Sequence, residues 1–217
     1  MKVQLSAVYP ITDTQLSRLS VPDQIRQMAA GGARVVQLRD KAASSRDFFA
    51  AAVEAVRIAK ENDVRLIVND RVDVAMLTGA DGVHLGQDDL SPIQARRLLG
   101  ENAIIGYSTH TLAQAAEAVT LPIDYVAFGP VFHTSTKANP DPVTGLVALA
   151  AIKELAGDLP VVAIGGIDDS NFKAVLAAGA TSAAMIGAIL RGPKPIQDQV
   201  RHLLDNARRE DKDVLHR

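Results

Sequence analysis

Two cations at an interval of two residues mark the first candidate site in the sequence. Arg39 and Lys41 follow Gln37 in this spacing, while Val36 and Leu38 alternate with them. Successive side chains of a strand point to opposite faces, so the three polar residues share one face and the two apolar residues pack on the other. Two cations in a concave site are costly to bury unless an anion compensates them. The pattern favours an anion-binding site, and a pair of rim salt bridges to nearby aspartates is the alternative.

Acidic and amide side chains end two further strand-like segments. Asn69 and Asp70 follow one segment, and Asp88 and Asp89 follow the next. Oxygen ligands from adjacent loops suit Mg²⁺, which usually takes one or two carboxylates and completes its shell with water and phosphate oxygens. Each aspartate alone could be a turn residue or a helix cap, Asp70 above all. Carboxylates beside a cation pair nevertheless favour a metal–polyphosphate site.

Hydroxyl groups and a third cation lie in a long, proline-containing loop. Thr134, Thr136 and Lys137 offer two hydroxyl donors and a charge, a set suited to phosphate oxygens. Long loops in compact domains often bind or cover ligands, and a disordered polar loop is the alternative here.

The histidines are less informative. His84 shares the inward direction of its strand with Gly86, which favours a hydrogen-bonded core residue over a catalyst. His110 and His133 fall on loops of the same region, where spacing alone assigns no role.

The elements that must position these groups alternate along the whole chain. Strands are predicted at Val3–Tyr9, Val35–Arg39, Arg65–Asn69, Gly82–Gly86, Ile104–Ser108, Tyr125–Gly129, Val161–Gly165 and Ser182–Ile186. Helices are predicted at Asp23–Ala30, Arg46–Glu61, Ile93–Leu99, Leu112–Val119, Leu146–Leu155, Ser170–Ala178 and Pro195–Arg209. Strands that alternate with helical segments predict parallel βαβ units.

The fold class that follows is α/β, a single (β/α)8 barrel of the TIM type over residues 1–217. Eight units give roughly 27 residues each, a compact example of a fold that is typically about 250 residues long. A doubly wound open sheet is the runner-up, but the first strand–helix turn lacks the glycine-rich fingerprint of that fold. The charged segment 208–217 is predicted to be a solvated helix end or a frayed tail.

Glycines complete the set at the barrel mouth. Gly166, the second of a glycine pair, and Gly187 follow the last two strands, where this fold commonly binds phosphate through backbone N–H groups. Glycine lets the backbone approach an anion closely. The sequence therefore predicts two anion sites across one barrel mouth: the cations and carboxylates described above, and the backbone at these glycines. That arrangement fits two phosphorylated small-molecule substrates.

Composition narrows the classes of function. Lys and Arg number 23 against 25 Asp and Glu, a net charge of −2, which argues against nucleic-acid binding through bulk charge. The absence of cysteine removes disulfides, thiolate metal ligands and cysteine nucleophiles. No apolar run approaches the ~20 residues that cross a bilayer, and polar residues come too early for a signal peptide, so we expect a cytoplasmic protein without a membrane partner. The oligomeric state stays open, a homo-oligomer included.

The candidate groups stand in short motifs whose joint order and spacing are highly specific. The motifs are Gln37-Leu38-Arg39-Asp40-Lys41, Asn69-Asp70, His84-Leu85-Gly86-Gln87-Asp88-Asp89, Gly106-Tyr107-Ser108-Thr109-His110, Thr134-Ser135-Thr136-Lys137 and Gly165-Gly166-Ile167. From about Tyr9 to Leu190, the chain resembles the thiamine-phosphate synthase family. The resemblance implies a (β/α)8-barrel transferase that uses Mg²⁺. Such an enzyme joins a hydroxymethylpyrimidine diphosphate to a thiazole phosphate, or its carboxylated form, and releases pyrophosphate and thiamine monophosphate.

The resemblance also implies a role for each residue of the motifs. Pyrimidine diphosphate binding would fall to Gln37, Arg39, Lys41 and Asn69, with Ser108 on the pyrimidine and Lys137 on the pyrophosphate. Mg²⁺ would be held by Asp70 and Asp89. The thiazole phosphate would be bound by Thr134 and Thr136 and by the backbone of Gly166, Ile186 and Gly187. The residues implied in catalysis are Arg39, Lys41, Lys137 and Ser108.

The implied mechanism needs no side-chain nucleophile. The methylene carbon of the pyrimidine loses diphosphate to give a resonance-stabilised cation, which the thiazole nitrogen captures. The chain departs from the family pattern at Gly187, where serine is usual, and at His133, where proline is frequent. Two rival functions are a thiazole tautomerase-like barrel and a non-catalytic thiamine-precursor binding protein. The pair Asp70 and Asp89 and the Thr/Lys loop favour the synthase.

Overall fold

The strands and helices of the protein alternate as βαβ units require. The computed structural model describes residues 3–134 and 141–214, with side chains as far as residue 208. The strands are β1 (Val8–Pro10), β2 (Val35–Leu38), β3 (Arg65–Asn69), β4 (Gly82–Leu85), β5 (Ile104–Thr109), β6 (Tyr125–Phe128), β7 (Val161–Ile164) and β8 (Ser182–Met185). The helices are α1 (Val21–Ala30), α2 (Ser45–Glu61), α3 (Val72–Thr78), α4 (Pro92–Leu99), α5 (Leu112–Ala118), α6 (Gly145–Ala156), α7 (Phe172–Ala177), α8 (Gly187–Leu190) and α9 (Ile196–Val214).

Backbone hydrogen bonds close the sheet into a barrel. The strands pair in parallel in the order β1-β8-β7-β6-β5-β4-β3-β2. The two ends of this order meet where Ile11 forms a parallel bridge with Gln37. The Thr12 N–H donates to the Gln37 carbonyl (2.9 Å), and the Ile11 N–H donates to the Met185 carbonyl (3.1 Å). This closure confirms the predicted (β/α)8 barrel and excludes the doubly wound open sheet.

Apolar side chains form two layers, one on each side of the barrel wall. Val36 and Leu38 belong to the outer layer between strands and helices, as their alternation predicted. The interior is filled by Tyr9, Ile11, Val35, Ile67, Tyr125, Ala127, Val162 and Ala184. Because strand residues alternate between the layers, the inward series of β2 runs from Val35 to Gln37, and the interior becomes polar toward the mouth.

Helix α2 buries only part of the apolar face that its spacing predicted, Val56 and Ala59 among the predicted positions. Phe49 and Val53, whose spacing predicted the helix, are 37% and 50% exposed. The buried side chains are Phe48, Ala52, Ala55, Val56, Ile58 and Ala59. Small alanine side chains let the helix pack closely against its neighbours, so packing selects the buried face.

One strand and two helices, besides the last helix described below, differ from the sequence prediction. Strand β1 begins at Val8 rather than Val3, because its partner β8 offers only a short stretch for pairing. Helix α3 was not predicted, since the β-branched residues Val72 and Val74 weaken its helical pattern. Helix α8 has 4 residues, too few for periodicity to indicate a helix.

The last helix extends beyond its predicted end. Helix α9 runs to Val214, so the backbone of 208–214, predicted to be a solvated helix end or a frayed tail, continues the helix. Residues 215–217 lie outside the described chain. None of the described helices is both long and apolar enough to cross a membrane.

Candidate active site

A pocket opens at the C-terminal ends of the strands, the end where barrels of this class carry their functional groups. Its walls are formed by Tyr9, Ile11, Gln37, Arg39, Asn69, His84, Ser108, Ala127, Val162, Ile164, Ala184 and Ile186. The residues from β2 to β5 are polar, and those from β6 to β8 are apolar. The pocket therefore brings together five of the predicted site residues: Gln37, Arg39, Asn69, Ser108 and Ile186.

Arg39 is held against Asp13, which follows β1. Arg39 Nη1 donates to Asp13 Oδ2 (2.5 Å), and the two side chains are only 17% and 10% exposed. Two backbone N–H groups of its own loop donate to Asp13 Oδ1 and orient the carboxylate. Thr12 Oγ1 accepts from the Arg39 N–H (2.9 Å) and joins the two loops. The guanidinium thus has a fixed direction, and its partner is a carboxylate of the mouth rather than a nearby rim aspartate.

Lys41, Asp70 and Asp89 form a charged cluster from three adjacent loops. Lys41 Nζ is ion-paired with Asp70 Oδ2. The Asp70 and Asp89 side chains lie within hydrogen-bonding distance of each other, and the Gly86 N–H donates to Asp89 Oδ2 (2.7 Å). Partial burial and, after it, the neighbouring Asp70 raise the pKa of Asp89 above its ordinary value. Two carboxylates therefore share a position where their charges repel.

The two carboxylates fit a hard divalent cation. Asp70 has a φ of 63°, a left-handed backbone that is sparsely populated outside glycine, and its N–H donates to the His84 carbonyl (2.8 Å). Arg71, not Asp70, is the N-cap of α3, which overturns the helix-cap alternative. Within the described residues no third His, Asp or Glu joins the pair. Mg²⁺ suits such a site, because it takes one or two carboxylates and fills its shell with water and phosphate oxygens.

A buried chain of hydroxyl and imidazole groups crosses the floor of the pocket. Ser108 Oγ lies 2.8 Å from His84 Nε2, and His84 Nδ1 lies 2.9 Å from the Tyr125 hydroxyl. The Tyr125 hydroxyl lies 2.9 Å from the Tyr9 hydroxyl. Burial lowers the pKa of His84 to about 4, so its imidazole is neutral at pH 7. His84 is the inward, hydrogen-bonded core residue that strand alternation predicted.

Three polar residues of this site were not predicted as site residues: Tyr9, Asp13 and Tyr125. The sequence signal for Tyr125 is the glycine at position 106, inside a predicted strand. In the structure Gly106 is the register partner of Tyr125, and a Cβ there would lie 2.0 Å from the tyrosine ring. The position of Asp13 after the first predicted strand was its local signal, but its partner Arg39 is 26 residues away in the chain.

The β7 and β8 ends of the mouth present backbone rather than charged side chains. Gly166 has a φ of 63°, and a Cβ there would lie 2.3 Å from the His133 carbonyl oxygen, so the position requires glycine. Asn171 Nδ2 donates to the Gly166 carbonyl (2.9 Å). Gly187 is the first residue of α8, directly after Ile186 of the pocket wall.

The predicted phosphate-binding loop is described in part. Thr134 is its last described residue before the gap, and Thr136 and Lys137 lie outside the described chain. On the side of the loop that is described, His110 Nδ1 lies 2.6 Å from the Gly129 carbonyl oxygen and 3.6 Å from Asp141 Oδ2. His110 at the end of β5 therefore contacts both ends of the segment between β6 and α6.

Fold and site together define a class: a (β/α)8-barrel protein whose mouth carries two cation–carboxylate pairs beside a pocket with one polar and one apolar side. Relatives of the chain identify the particular family. The family model described as thiamine monophosphate synthase matches residues 8–189. The chain belongs to this family, and it is a transferase of thiamine biosynthesis.

Individual relatives agree along most of the chain. The thiamine-phosphate synthase of Leptospira biflexa is 43% identical over 200 residues, which cover 90% of this chain and 95% of that protein. The thiamine-phosphate synthase of Chloroflexus aurantiacus is 44% identical over 184 residues, 84% of each chain. Among solved structures, a thiamine phosphate pyrophosphorylase from Pyrococcus furiosus superposes with a TM-score of 0.81 at 34% identity, over 94% of this chain and 96% of that one.

Proposed function

We propose that the polar half of the pocket binds a hydroxymethylpyrimidine diphosphate and that the opposite half binds a thiazole phosphate or its carboxylated form. The chain would join the two into thiamine monophosphate and release pyrophosphate. The observation that carries the proposal is the lip from β1 to β4, where Arg39 and Lys41 each meet a carboxylate beside the pocket. Cations in that position suit a departing diphosphate.

Departure of diphosphate places growing negative charge on its oxygens. Groups that are prearranged around developing charge stabilise it without reorganising during the reaction. Arg39 meets this condition because Asp13 and Thr12 hold it. Lys41 is 59% exposed and has the freedom to turn from Asp70 to the ligand. Lys137 is proposed as a third cation for the same oxygens.

Asp70 and Asp89 would hold Mg²⁺, whose charge would neutralise diphosphate oxygens when it is bound. In the protein itself, these carboxylates repel each other across a short distance. A cation shared between them would relieve this repulsion, which supports the assignment. It would also leave Lys41 free to bind the diphosphate.

Neutral groups below the lip would orient the pyrimidine. Gln37, Asn69 and Ser108 line the pocket and can donate or accept hydrogen bonds. His84 has partners on both ring nitrogens and is neutral, so we assign it no general-base role. Ionisation of a carbon–oxygen bond followed by nitrogen capture requires no such base.

The apolar half would position the thiazole so that its nitrogen faces the reacting carbon. Backbone N–H groups near Gly166, Ile186 and Gly187 would bind its phosphate, with Thr134 and Thr136 as hydroxyl donors. Holding two reactants in a reactive orientation accelerates their reaction by large factors.

We propose that this enzyme works in the cytoplasm, on two phosphorylated small molecules and without nucleic acid.

Turnover of the purified protein tests this function. With both substrates and Mg²⁺, we expect thiamine monophosphate and pyrophosphate in equal amounts, measured by chromatography and by a pyrophosphatase-coupled phosphate assay. Isomerisation of the thiazole without coupling would replace the proposal with a tautomerase. Thermal stabilisation by the substrates without any product would replace it with a binding protein.

A further inference from the structure

The chain of hydrogen bonds under the pocket connects two residues of the proposed pyrimidine site on opposite sides of the barrel. It starts at Ser108 on β5 and passes through His84, Tyr125 and Tyr9. Gln37 on β2 lines the same pocket as Tyr9, and an interaction of its amide with the Tyr9 hydroxyl extends the series. Tyr9 and Tyr125 are at most 1% exposed. Buried polar groups need protein partners, so each member depends on its neighbours in the chain.

Counting protons shows that the chain has two complete arrangements. Each hydroxyl carries one proton, and a neutral imidazole carries one N–H. If the Gln37 amide N–H donates to Tyr9, each next group donates onward, and His84 Nε2–H donates to Ser108. If Tyr9 instead donates to the Gln37 carbonyl, every bond reverses, and the Ser108 hydroxyl donates to His84.

We propose that Tyr9, Tyr125 and His84 are positioning residues that couple the hydrogen-bonding direction of Ser108 to that of Gln37. In the first arrangement, Ser108 offers its proton to the pocket and Gln37 turns its carbonyl oxygen there. In the second, Ser108 offers oxygen lone pairs and Gln37 turns its N–H groups. The pocket then always presents one donor and one acceptor at these two positions. An aminopyrimidine edge, with a ring nitrogen beside an amino group, is complementary to this pair; this part rests on the proposed function.

The packing of the rings supports a fixed series of hydrogen bonds from Ser108 to Tyr9. The His84 and Tyr125 rings stack with centroids 5.6 Å apart, and the Tyr9 and Tyr125 rings meet edge to face at 5.9 Å. Gly106 leaves the space that the Tyr125 ring occupies, since a Cβ there would lie 2.3 Å from the tyrosine hydroxyl. Rings held on several sides keep their hydroxyl groups in line.

The tautomer of His84 reports the direction of the chain without any substrate. Two-bond ¹H–¹⁵N spectra of ¹⁵N-histidine-labelled protein distinguish the Nδ1–H form, the Nε2–H form and the imidazolium, and the His84→Gln variant identifies the signal. Gln37→Glu leaves Tyr9 only acceptors at pH 7.5, so we expect the Nδ1–H form. Gln37→Lys leaves only donors, so we expect the Nε2–H form.

Adding Tyr125→Phe to both variants should abolish the difference, because it removes the central hydroxyl and keeps the ring. The same tautomer in Gln37→Glu and Gln37→Lys would overturn the proposal. A difference that persists with Tyr125→Phe would also overturn it, since the effect would then pass through space. None of these results depends on which reaction the enzyme catalyses.

Enzyme kinetics provide a second test, which needs no substitution of Gln37 and therefore remains available if the Gln37 variants fold poorly. Tyr125→Phe should raise the KM for the pyrimidine diphosphate about fivefold to thirtyfold and change the KM for the thiazole phosphate less than about twofold. Tyr107→Phe on the outer side of β5 is the matched control and should change neither. Ser108→Ala should cost less in the Tyr125→Phe background than in the wild type, and equal costs would contradict the coupling. A wild-type protein without coupling activity would refute the proposed function and leave the tautomer result standing.

Discussion

The two halves of the barrel mouth present polar groups in different ways. From β1 to β5, charged and polar side chains already hold one another, as Arg39 holds Asp13 and Lys41 holds Asp70. From β6 to β8 the wall is apolar, and the polar groups at its edge are backbone groups such as those around Gly166. The charged side chains supply whole charges, whereas backbone groups supply hydrogen-bond donors and acceptors without net charge. We therefore expect the first half to act on the leaving diphosphate and the second to hold the other substrate in place.

This contrast predicts different sensitivities. Loss of one charged side chain in the first half leaves a partner uncompensated, so substitutions there should alter charge, metal affinity and pH response together. In the second half, an added Cβ or hydroxyl should matter more than a change of charge.

The largest effect should come from Asp89→Ala. Removing one of two carboxylates at the proposed Mg²⁺ position should lower turnover by about a hundredfold or more, because the charge that neutralises diphosphate is no longer held. Turnover at varied Mg²⁺ concentration measures the effect, with the exposed neighbour Asp88→Ala as the charge-matched control. Full activity of Asp89→Ala in excess chelator would remove the metal from the mechanism.

Arg39→Ala should separate the two halves kinetically. We expect kcat to fall by about a hundredfold, since charge develops on the departing diphosphate, and the thiazole phosphate KM to change little. Lys137→Ala should act in the same direction. Arg34→Ala, an exposed arginine at the other end of β2, serves as the control. A normal kcat with a raised thiazole phosphate KM would reverse our assignment of the halves.

The first half should also make folding stability depend on pH through His84. Its pKa is lowered from 6.5 to about 4 in the folded protein, so between these values the unfolded chain binds more protons. The free energy of unfolding should therefore decrease as pH falls from 7 to 4, by roughly 3 kcal/mol from this residue. Urea unfolding of the wild type and His84→Gln in the presence of chelator isolates this contribution. Parallel pH profiles of the two proteins would contradict it.

The smallest effect concerns the hydroxyl that Gly187 lacks. Gly187 is the first residue of α8 and has no left-handed backbone, so serine is free of that source of strain. Its hydroxyl should tighten thiazole phosphate binding by a few-fold to about tenfold, because hydrogen bonds to charged groups contribute roughly 1.5–3 kcal/mol and water recovers part of that. Gly187→Ala is the control and should not tighten binding. Unchanged or weaker affinity in a thermally normal Gly187→Ser would show that the missing hydroxyl does not limit this site.

Local patterns predicted the barrel and much of its mouth. Alternating strands and helices indicated the (β/α)8 fold, and the interval of two between Gln37, Arg39 and Lys41 indicated their common direction. These predictions succeed because side-chain direction along a strand follows from the strand itself. Helix α2 shows the limit, since Phe48 and several alanines are buried while Phe49 and Val53 are not, and the choice depends on the shape of the surface beneath.

The partners of the site residues were decided only by the tertiary structure. Asp13 meets Arg39 because the barrel closes between β1 and β2, and Tyr9 meets Tyr125, 116 residues away, because both point into one narrow interior. The alternation of side chains along a strand specifies which face each side chain occupies, but not which distant residue shares that face. Closure of the barrel fixes these distances, and the sequence by itself determined the residues available to be brought together.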